Sequence, residues 1–139
     1  MDKFKNKVLS QEILSSIHET TRKLNFLVKG FWKEDRKVYL STKDLHEQIK
    51  SIYETTRYSV IAGHELSVTR GIGILDMVRT KAAQIIEIQR RRGKPEHNDK
   101  IVGELEELIE KAEAILVTIN MIEHPNSIYS FGDGRLYGI

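Results

Sequence analysis

The 139 residues contain no cysteine. That excludes a disulfide framework, thiol chemistry and cysteine-type zinc sites. It fits a reducing compartment, and the sequence reading is a cytoplasmic protein. An excess of one charge sign is also missing. Twenty-two basic groups face 20 acidic ones, for a formal charge of +2, which is too balanced to mark a nucleic-acid binder by composition. No apolar run approaches the roughly 18 residues that a membrane span needs. The N-terminal lysines are not followed by an apolar segment of signal-peptide length. Only two prolines occur, Pro95 and Pro125, and both fall where helical periodicity lapses.

What is present is a 40% apolar, 30% charged chain of one domain's length. Its apolar residues recur at helical spacing. A first helix is expected from Ser10 to about Gly30, with Ser10 as its cap and Ile13, Leu14, Ile17, Leu24, Leu27, Val28 and Phe31 as its stripe. Arg22 projects nearly opposite that stripe. Residues 31–40 read as a loop with apolar anchors. A second helix starts at Ser41 or Thr42, with Ser41 and Asp44 resembling a capping pair, and carries Leu45, Ile49, Ile52, Tyr53, Thr56 and Val60. Gly63 either ends or bends it, so continuity with the third helix stays open.

The third helix covers Leu66 to Arg92 and buries Leu66, Ile72, Leu75, Val78, Ala82, Ile85 and Ile86. Ile74, Met77 and Ile88 widen its apolar arc. Gly93 and Pro95 break the pattern, and Asn98 or Asp99 caps a fourth helix running to Glu123. Ile101, Leu105, Leu108, Ile109, Ala112, Ile115, Leu116, Ile119 and Ile122 form its stripe. The expected fold is all-α: a single domain over 1–139, an antiparallel bundle of three to four long amphipathic helices. Residues 125–139 form a non-helical tail with Tyr129, Phe131 and Tyr137, expected to pack on the bundle or on a partner subunit.

Within the helices there is an echo. Ser16-Ile17-His18-Glu19-Thr20-Thr21-Arg22 is repeated as Ser51-Ile52-Tyr53-Glu54-Thr55-Thr56-Arg57, thirty-five residues later. The repeat keeps helical phase. One reading is a duplicated amphipathic helix whose Glu and Arg support its surface. The other is a pseudo-twofold site for an anionic small molecule or nucleotide, with Arg22 and Arg57 as guanidinium forks and Thr21 and Thr56 as hydroxyl donors. Arg135, between tail glycines, is a further candidate contact for an anion.

Arg57 and His64 stand seven residues apart. They lie nearly one above the other if the helix continues past Gly63. The spacing resembles the HEPN family of helical ribonucleases and nucleotide-handling proteins. The resemblance implies a dimer cleft in which Arg57 clamps a phosphate and His64 transfers the proton. The position after the arginine, often polar in that family, is Tyr58 here.

Arg90, Arg91, Arg92 and Lys94 form a basic patch at a helix C-terminus, where cations meet the macrodipole favourably. Arg36, Lys37, Arg79 and Lys81 are candidates to extend it. Nucleic-acid contact through it is possible but not favoured, because no base-reading motif accompanies it. The fourth helix is acidic, and an oligomer can set that face against the patch. The five histidines suggest no metal site, and no cofactor is expected. The favoured reading is a non-enzymatic interaction or regulatory protein that is homo-oligomeric. The wide arc of the third helix and the aromatic tail motivate it.

Overall fold

The computed structural model describes residues 7–123, apart from the side chains of 31–34 and 123. Five helices follow one another: α1 (Gln11–Glu34), α2 (Arg36–Ser41), α3 (Lys43–Ala62), α4 (Val68–Arg92) and α5 (Pro95–Glu123). The all-α expectation holds, with four long helices and one short one. The aromatic tail and Arg135 lie outside the described residues.

The four long helices run alternately up and down. His18 senses Arg57, Arg22 senses Tyr53, and Lys29 senses His46, so α1 and α3 are antiparallel. Ser16 to Lys23 of α1 borders Leu108 to Ile115 of α5, while Phe26 to Gly30 borders Glu96 to Glu104, again antiparallel. Contacts between Gln89 and Asn98, and between Arg79 and Glu113, reverse α5 against α4. The core is one cluster in which Leu14, Ile17, Leu24, Ile49, Leu75, Val78, Leu105 and Leu108 lose essentially all contact with water. All eight were expected from periodicity, because a stripe that repeats once per turn has to face another such stripe.

Several boundaries differ from the sequence reading. Ser10 does cap α1, accepting the Ile13 N–H at 3.3 Å. Gly30, however, does not stop the helix, which continues to Glu34. Residues 36–41 are not a loop. Asp35 caps α2 by accepting the Val38 N–H, and α2 buries Val38. Ser41 therefore ends α2 and does not cap α3. The residue before α3 is Thr42, and its hydroxyl donates back to the Val38 carbonyl at 2.7 Å. Gly63 adopts φ 72°, a left-handed conformation that ends α3. α3 and α4 are thus separate. Ser67 starts α4 by accepting the Arg70 N–H at 3.1 Å.

Pro95 opens α5 instead of lying in a long break. Proline suits a first helical position, since its missing N–H has no partner to lose there. Gly93 is required by close approach. A Cβ there would run into the fully buried amide of Gln89, which hydrogen-bonds Asn98 at 2.9 Å.

Gly73 and Gly103 present the opposite case. Both lie inside helices, and a Cβ on either would meet nothing within 4 Å. Gly73→Ala and Gly103→Ala should each raise stability by about 0.5–1 kcal/mol through helix propensity. Urea unfolding checks this, and a lowered midpoint for both would contradict the helix assignments.

Candidate functional site

The echo meets itself at the α1–α3 seam. Thr21 Oγ1 and Thr56 Oγ1 lie 2.8 Å apart, and His18 stacks on Tyr53 with ring centroids 5.6 Å apart. In both pairs a residue touches its own counterpart in the repeat. Two antiparallel copies of one segment do this when a twofold axis passes between them.

His18, Thr21 and Thr56 hydrogen-bond one another across the seam. His18 Nδ1 is 3.3 Å from Thr56 Oγ1, and the Thr21 hydroxyl donates to the His18 carbonyl at 2.8 Å. With one proton per hydroxyl, a consistent chain runs from His18 Nδ1–H to Thr56, from Thr56 to Thr21, and from Thr21 to the His18 carbonyl. The Thr56 hydroxyl also reaches the Tyr53 carbonyl at 3.0 Å. Both threonines are buried, so their hydroxyls serve helix packing.

Arg22 and Arg57 do come near one residue, since both depress the basicity of His18. Arg22, though, is held by Glu19 at 2.5 Å. That pairing raises the Arg22 pKa and lowers that of Glu19. Arg57 is exposed on the outer face of α3. Both guanidinium groups are thus exposed, whereas Thr21 and Thr56 are buried between the helices.

His64 falls beyond the end of α3, in the chain that follows Gly63. The helix does not stack it above Arg57. Its ring packs instead on Tyr58, with centroids 4.9 Å apart. The residue that departs from the HEPN pattern is thus the one that His64 meets. Among the described residues no group of three His, Asp or Glu side chains is placed to hold a metal ion. No helix among them is long and apolar enough to cross a membrane.

The basic patch is divided by the fold. Arg90 pairs with Glu106, Arg91 with Glu87, and Arg79 with Asp76 and Glu113. Lys81 is bonded to Gln48. The acidic face of α5 therefore meets the α4 arginines within one chain. Arg92 and Lys94 are different. With Arg36, Lys37, Asp35, Gly93 and Pro95 they line a cleft of about 420 Å³ between the start of α2 and the α4–α5 junction. Sequence reasoning named all four cations but had no means of setting residues 36–37 beside 92–94.

Burial, as the largest cause, lowers the pKa of His18, and Arg22 and Arg57 act in the same direction against Glu19. His46 is lowered as well, by burial first and then by Lys29 and Lys50. For both, the unfolded chain takes up the proton first as pH falls. Their contribution is intact above the ordinary value of 6.5 and is lost as pH drops below it toward the lowered folded values. Stability should therefore decline in the window that opens as pH falls below 6.5, the ordinary histidine value. His18→Gln should flatten part of that slope. Unfolding midpoints that hold constant across the window would contradict it.

Comparison of the chain with protein-family models, with curated proteins and with solved structures finds no match.

Proposed function

We propose that this chain is a small, non-enzymatic protein-interaction module that works as a homo-oligomer. The observation that carries this reading is where its apolar side chains remain uncovered. Nine large apolar residues are exposed among the described ones, and six belong to one end of the bundle: Val8, Tyr58, Ile61, Val117, Met121 and Ile122. That end is where α1 and α4 begin and where α3 and α5 finish.

Helix α5 supplies the clearest face. At 29 residues it is about 43 Å long, some 6 Å longer than α4 with its 25. Val117 and Met121 stand one turn apart on it, and Ile122 widens the strip, with Val117 and Ile122 more than half exposed. Single exposed apolar residues are ordinary on a monomer, whereas a grouped set marks a contact surface. A second copy is the occupant we favour. An apolar strip is complementary to itself, and a twofold pair needs no second kind of surface.

Size-exclusion chromatography with light scattering tests the reading at micromolar concentration. The full chain should run at a multiple of 16.1 kDa, and the double variant Ile61→Glu, Met121→Glu should run as a folded monomer. A wild-type monomer throughout that range overturns the proposal. So does a full chain that is monomeric while a chain ending at Glu123 dimerises, because residues 124–139 would then be the occupant.

A further inference from the structure

The cleft between α2 and the α4–α5 junction has a charge pattern that packing alone does not explain. Among the described residues four cations line it, Arg36, Lys37, Arg92 and Lys94, together with the single carboxylate of Asp35. The whole chain carries a net charge of only +2, so this is a marked local concentration. Asp35 is buried, and both of its oxygens are already engaged. One accepts the Val38 N–H at 3.4 Å and the other the Lys94 N–H at 2.8 Å. It thus ties together two walls of the cleft, fifty-nine residues apart in the chain.

The four cationic side chains are all exposed, and none has an ion pair among the described residues. Their neighbours Arg90 and Arg91 do have one. A position at the C-terminus of α4 accounts for Arg92, since a helix dipole attracts cations there. Arg36 and Lys37 instead occupy the first two positions of the six-residue α2, the end at which a helix disfavours cations. Four like charges gathered around one cleft are a cost that an anionic ligand would offset.

We infer that this cleft binds a small ligand bearing two or more linked phosphates. Guanidinium groups from opposite walls grip phosphate oxygens through paired N–H donors, and the two lysines add mobile point charges. The volume of about 420 Å³ falls within the usual range for small-molecule sites. A concave pocket with four cations suits a compact oligophosphate better than an extended nucleic-acid backbone, which is followed along a surface stripe. The site lies at the end of the bundle opposite the apolar surface, so it stands independently of the oligomer reading.

Isothermal titration calorimetry of the full chain with inorganic tripolyphosphate, at low and at moderate salt, tests this. Binding with a micromolar Kd is expected, together with a raised melting temperature. It should weaken at least tenfold in Arg36→Gln, Arg92→Gln, and remain within twofold in the control Arg90→Gln. Titrations with ATP and with orthophosphate separate a nucleotide source from linked phosphate alone. Absence of heat and of any melting shift at millimolar tripolyphosphate overturns the inference. Equal affinity in the double variant and the control overturns it too. Retention of single-stranded RNA without tripolyphosphate binding would replace the ligand class by nucleic acid and overturn it as stated.

Discussion

Leu75→Ala is expected to lower the free energy of unfolding by roughly 3–4 kcal/mol. Leu75 is completely buried on α4, the helix that packs most heavily on α5 and also touches α1, α2 and α3. Removing its side chain takes away the transfer energy of the lost carbons and leaves a cavity that the packed core closes only in part. Against a total of about 5–15 kcal/mol for a domain, that is a large share. Leu75→Met, which nearly conserves volume, should cost under about 1.5 kcal/mol. Urea unfolding followed by circular dichroism reads both. An alanine variant as stable as the parent would mean that the four stripes do not meet around this position.

Asp35→Ala is expected to cost about 3 kcal/mol, through a different mechanism. The carboxylate accepts two backbone N–H groups, from Val38 and from Lys94. Alanine removes both acceptors, the cap of α2 included. It also removes the only negative group that lines the cationic cleft among the described residues. The loss should therefore be larger at low ionic strength than in 0.5 M salt, where the repulsion of the four cations is screened. Asp35→Asn keeps an acceptor oxygen but not the charge, and should show the same salt dependence with a smaller total loss. A loss for Asp35→Ala of under about 0.5 kcal/mol, the range of ordinary surface substitutions, would show that the carboxylate does not join the two segments.

Much of the fold was legible because helix formation and amphipathicity are local. Leu14, Ile17 and Leu24 announce a buried face on α1 without reference to any other segment, and they are buried. The boundaries were less legible where competing local signals met. Gly30 and Gly93 look alike as stop signals, yet the first lies inside a helix and the second just past the end of one. The difference comes from Asp35 and Gln89, whose hydrogen bonds engage residues elsewhere in the chain. Pro95 was misplaced for a related reason. A proline excludes a helix interior but is welcome at its first position, and the choice depends on where the preceding helix lets go.

The candidate sites show the same division. The echo of His18 to Arg22 in Tyr53 to Arg57 is visible in the sequence, and so is its helical phase. Its consequence, Thr21 against Thr56 inside the seam, depends on two helices running in opposite directions. The sequence by itself determined that this chain is helical, which faces of its helices are apolar, and how many charges of each sign it carries. Only the tertiary structure decided which charges neutralise one another and which are left over. Periodicity acts across a few residues of one helix, whereas Arg36, Lys37, Arg92 and Lys94 share a cleft because packed helices return distant segments to the same end of the bundle.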